Sequence, residues 1–76
     1  MGTVIEFEGV KIKINAKDHN PPHAHIEGNG GKARYNLKTM EFIEYSGFSR
    51  SDLNTIESII RRKIWLLLDE WRRFHE

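Results

Sequence analysis

Ten residues, KDHNPPHAHI at positions 17–26, hold three of the chain's four histidines, one aspartate and two adjacent prolines. Those residue types support three kinds of chemistry. His23 and His25 can present two imidazoles to one divalent ion. His19 or Asp18 would be the third ligand and water the fourth, an open zinc-type arrangement or a site for a similar metal. The same imidazoles, His23, His25 or His19, could instead work as an acid–base pair. One would take the 2′-hydroxyl proton of RNA and another would protonate the leaving oxygen, with a nearby cation stabilising the transition state. Both protonation states of histidine are accessible near neutral pH. In the third reading Asp18 caps a turn, His19 bonds to backbone, and the histidines form a contact surface without chemistry. The sequence leaves all three open.

The surrounding elements decide how these residues are aimed. Residues 10–16 alternate, with Val10, Ile12 and Ile14 on one face and Lys11, Lys13 and Asn15 on the other. That period of two predicts a half-buried strand. Residues 3–8 form its partner across Glu8-Gly9, with Ile5 and Phe7 inward and Glu6 and Glu8 facing Lys11 and Lys13. Pro21 and Pro22 cannot donate to a ladder, so residues 17–22 are a stiff loop. A short strand over 23–27 follows, then a tight turn at the glycines of 28–31. Residues 32–37 alternate again, and a turn near Lys38-Thr39 leads to a last strand over 41–46. Ile26 and Ala24 belong to the core side of their strand. His23, His25 and Glu27 therefore share the opposite face with Lys11, Lys13, Lys32 and Arg34.

The period then changes. Apolar residues at 53, 56, 60, 64, 67, 71 and 74 are spaced by three and four, the pattern of an amphipathic helix. Ser49 and Asp52 make a capping-box-like start. No glycine or proline falls between Arg50 and Glu76, so one helix over 50–75 is predicted, spanning about 40 Å. The sheet is too small to cover that length. Trp65, Leu68 and Trp71 are accordingly expected to form a homodimer interface or a wide core contact. The fold expected is α+β: an antiparallel sheet of four to five strands, built from two β-hairpins and an edge strand, packed on one long C-terminal helix.

Bulk properties narrow the function. With 76 residues the chain is expected to form one domain, its sheet region over 3–47 and its helix over 50–75. There is no cysteine, which removes disulfides, thiolate ligands and cysteine nucleophiles. A net charge of +1 argues against duplex binding driven by charge alone. No apolar run reaches the ~20 residues of a membrane span, and the N-terminal residues lack a signal-peptide pattern. A soluble cytoplasmic protein is the expectation. Gly28-Asn29-Gly30-Gly31 opens no helix and lacks the following lysine–hydroxyl pair, so it is a hairpin turn and not a phosphate loop. The helix cations Arg61, Arg62, Lys63, Arg72 and Arg73 are read as a solvated face.

Two stretches carry a family resemblance. Phe7, Gly9, Val10, Ile12 and Ile14, followed by Asp18-His19-Asn20-Pro21-Pro22-His23-Ala24-His25, look like the opening of a small bacterial family known as domain of unknown function 4160. Its hallmark is D-H-x-P-P-H-x-H soon after a β-hairpin. Ala24 stands where that family often has an aromatic residue. The resemblance implies a small protein encoded beside another short protein, in a toxin–antitoxin-like pair. It further implies a protein partner and a nucleic-acid target. Together with the strand alternation, it makes Asp18, His19, His23, His25, Lys11, Lys13 and Arg34 the expected binding residues.

Overall fold

The computed structural model describes residues 3–15 and 21–75, with only the backbone at residues 3, 4 and 75. Asp18 and His19 lie outside the described residues. Five strands form one antiparallel sheet in sequence order: β1 (Thr3–Phe7), β2 (Val10–Lys13), β3 (His23–Gly28), β4 (Gly31–Asn36) and β5 (Glu41–Ser46). Two helices follow, α1 (Arg50–Arg62) and α2 (Ile64–His75).

The turns follow from local sequence. Glu8-Gly9 and Asn29-Gly30 both place two consecutive residues at positive φ, at 46° and 81° and at 50° and 82°. That geometry matches the twist of the strands it joins. The Asn29 amide donates a 2.9 Å hydrogen bond to the Glu8 carbonyl, so the two turns are tied to each other. Glu8 is thus a turn residue; Glu6 alone lies opposite Lys11, and Lys13 lies opposite Thr3. At the third turn the Asn36 side chain accepts from the backbone amides of Lys38 and Thr39, an asparagine-driven turn. The pairing of β4 with β5 slips once. Arg34 pairs with Glu44 and Tyr35 with Phe42, leaving Ile43 as the extra residue of a bulge.

One face of the sheet is the core. Ile12, Ile14, Ala24, Ile26, Ala33, Tyr35 and Leu37 are buried with Ile56, Ile60, Leu67 and Trp71 of the helices. At roughly 1.5–3 kcal/mol for each fully buried large aliphatic, this cluster is the main source of stability. Ala24 is completely buried, so the small side chain is accommodated in a closed core. Tyr35 is buried too, and its hydroxyl donates a 2.8 Å hydrogen bond to Glu57 of α1.

The capping box at Ser49 and Asp52 is formed on both sides, at 3.0 and 3.1 Å. The expectation of one unbroken helix is corrected. The chain leaves helical geometry at Lys63 (φ −113°, ψ 22°). Its amide donates to both Ile59 and Ile60 carbonyls, and its own carbonyl accepts from Leu66 and Leu67. No glycine or proline marks the break. The physical reason is reach. A straight helix would outrun the sheet, whereas a redirected α2 brings Leu67 and Trp71 into the core, where they are almost fully buried. This changes the expected interface. Trp71 is a core residue, Leu68 is half-buried against the core, and only Trp65 is well exposed, at 64%.

Candidate binding face around His25

Among the described residues the other face of the sheet carries no helix at its centre, and the register arranges its side chains in rows. Lys13, His25, Arg34 and Glu44 lie side by side across β2, β3, β4 and β5. The neighbouring row is Lys11, Glu27, Lys32 and Ser46. Alternation along each strand puts all eight on one face. All but Lys11 border an open groove of about 630 Å³.

Two of the groove's three cations are paired with carboxylates. Lys13 bridges diagonally to Glu27. The Arg34 Nε donates to a Glu44 carboxylate oxygen at 3.0 Å. The hydrogen bond and charge of Lys13 hold the Glu27 carboxyl below its ordinary value of 4.5. Lys11 and Lys32 are exposed and add to the positive side.

His23 stands differently. It starts the same strand, and its ring centre is 5.1 Å from that of His25. Yet it is only 8% exposed. Its Nδ1 donates a 2.8 Å hydrogen bond to the Pro21 carbonyl, since a carbonyl can only accept. In the neutral ring this leaves the lone pair on Nε2. On its other side the ring of Trp71 packs with centres 5.8 Å apart. The expectation that His23 lies exposed on the open face is therefore corrected: His25 is partly open, His23 is covered by α2. Alternation along β3 could not reveal this, because the cover comes from a helix end whose position depends on the break at Lys63.

Among the described residues no group of three or more histidine, aspartate or glutamate side chains converges on a point that could hold a metal ion. The two candidates that would complete such a group, Asp18 and His19, lie outside the described residues. Two site features escaped sequence reasoning: the pairing of Arg34 with Glu44 and of Lys13 with Glu27. The alternation signal placed Lys13, Glu27 and Arg34 on one face and left Glu44 unassigned; only the register across strands says which residues meet.

Residues 9–72 match the family model described as Domain of unknown function (DUF4160). The chain belongs to the DUF4160 family. The matched span contains every strand of the sheet except β1 and nearly all of both helices, so the DUF4160 unit includes the open face and its helical backing. Comparison with curated proteins and with solved structures finds no match. No helix among the described residues is long and apolar enough to cross a membrane.

Proposed function

We propose that this DUF4160 protein is a binding module that receives a small protein partner on the open sheet face around His25, as one half of a toxin–antitoxin-like pair. The observation that carries the reading is that the face bears both signs of charge. Lys13 and Arg34 each have a carboxylate partner in the groove. A strip built for a polyphosphate would leave its cations unopposed. A surface of both signs complements another protein surface of both signs, which fixes orientation and speeds encounter. His25 stands between Lys13 and Arg34 as a hydrogen-bonding group in the middle of the patch.

The test is calorimetric titration with the short protein that the resemblance implies is encoded beside it. Lys32→Glu and His25→Ala should each weaken binding roughly tenfold, about 1.4 kcal/mol, without altering the circular dichroism of the free protein. Wild-type affinity in both variants would move the interface elsewhere.

A divalent-metal role is a second reading, favoured by the spacing of the two rings. Two imidazoles on one tetrahedral ion place their centres about 5 Å apart, given zinc–nitrogen bonds near 2.1 Å, and the observed separation is 5.1 Å. The Nδ1 bond to Pro21 would orient His23 as outer partners orient metal-bound histidines. Asp18 or His19 would supply the third ligand. Metal analysis of tag-free protein, with and without His25→Ala, decides it: a stoichiometry near zero in both discards the idea. Cleavage of RNA by the histidine pair is less well supported, because it needs both rings open to substrate and His23 is buried.

A further inference from the structure

A second surface lies away from the open sheet face, at the junction of the helices. Trp65, the second residue of α2, is 64% exposed, more than Ile43 or Tyr45, the other exposed large apolar residues among those described. Arg62 and Lys63 lie three and two residues before it, and both are exposed. Arg72 lies seven residues further on, two helical turns along the same stripe, and is exposed as well. Four other cations of the protein are paired. Lys13 has Glu27, Arg34 has Glu44, Arg61 has Glu57 and Arg73 has Glu70. Among the described residues, no carboxylate is within ion-pair distance of Arg62, Lys63 or Arg72.

We propose that Trp65, with Arg62, Lys63 and Arg72, docks a single-stranded nucleic acid. A base stacks on the indole and the flanking phosphates meet the cations. Charge complementarity selects this occupant. An exposed indole offers a flat face that any base can use, and unopposed arginine and lysine supply the backbone contacts such strands need. A second copy fits poorly. A twofold contact centred on Trp65 would bring Arg62, Lys63 and Arg72 onto their own equivalents, with Asp69 as the one acidic residue on the stripe. A lipid surface fits poorly too, since it needs a broad apolar face, and Leu67 and Trp71 are already in the core.

The experiment is fluorescence anisotropy of a short labelled oligouridylate titrated with the intact protein. Three phosphate contacts predict a slope of about −2 for log affinity against log salt between about 50 and 200 mM. Trp65→Ala should weaken binding by roughly ten- to a hundredfold, while Trp65→Phe keeps most of it. Arg62→Ala should flatten the salt slope, and Lys38→Ala, at an exposed turn outside both surfaces, should leave it unchanged. Absence of titration by the wild type overturns the proposal, and so does binding that Trp65→Ala does not alter. Equal affinity for polyglutamate would reduce the site to bare charge and remove the stacking role. A dimer seen by light scattering and abolished by Trp65→Ala would replace the nucleic acid with a second copy.

Discussion

Trp71 of α2 packs on His23 of β3, with ring centres 5.8 Å apart and planes tilted by 49°. The contact joins the end of the last helix to the first residue of the histidine strand, and so ties the family motif to the C-terminal core.

Removing Trp71 should therefore cost far more than removing Trp65. Trp71→Ala leaves a cavity beside His23 and Leu67 and is expected to lower stability by about 3–5 kcal/mol. Trp65→Ala, at an exposed position, should stay within about 0.5 kcal/mol of wild type. Urea denaturation followed by circular dichroism separates the two. Equal losses would mean that the tryptophans have been assigned to the wrong sides of α2.

Tyr35 makes a prediction at high pH. Burial, and secondly its hydrogen bond to the Glu57 carboxylate, push its phenol up from 10.0 to about 12. A group whose pKa is raised on folding stabilises fully below its unfolded value and loses that contribution as pH climbs through the folded one. Wild type should thus lose stability between pH 10 and about 12 more steeply than Tyr35→Phe. At neutral pH the same variant should be less stable by about 1–3 kcal/mol, the worth of a hydrogen bond to a charged group. Parallel pH curves for the two proteins would contradict the assignment.

Glu27 predicts the opposite sign. Lys13 lowers its pKa below 4.5 through a hydrogen bond and through charge. Its contribution is present above that value and fades as pH falls through the lowered one. In a carboxyl-detected magnetic resonance titration, Lys13→Met should raise the Glu27 midpoint, and added salt should do so more weakly. A midpoint indifferent to Lys13 would show the pair to be open in solution.

The glycines of the second turn should differ sharply. A Cβ at Gly28 would sit 2.1 Å from the Gly9 carbonyl oxygen, and its φ is +149°. At Gly30 nothing lies within 4 Å, and only the φ of +82° opposes a side chain. Gly28→Ala should therefore unfold at clearly lower denaturant than Gly30→Ala, whose cost is about 1–2 kcal/mol. The reverse order would place the two turns further apart than described.

The sheet was readable because a period of two repeats along each strand, and alternation needs no knowledge of neighbours. The helix face was readable for the same reason: Ile56, Ile60, Leu67 and Trp71 all lie inward as their spacing requires. The break at Lys63 was not, because no residue there forbids a helix; it answers to the length of the sheet beneath. The burial of His23 depends on that break and was hidden with it. The ion pairs were half readable, since side-chain faces follow from one strand and partners follow only from the register of two. The groove's positions came from alternation, but its charge balance needed the pairing of Arg34 with Glu44 and of Lys13 with Glu27.

The bulge at Ile43 has a further meaning at the rim of the sheet. A straight outer strand is a template on which another chain can lie, and sheets grow by that route into filaments. Here β5 bends out of line at Ile43, while Glu41 and Glu44 stand exposed on it. Two copies approaching rim to rim would meet mismatched backbones and like charges. The interruption in pairing thus works as a stop signal at the β5 edge of the five-stranded sheet.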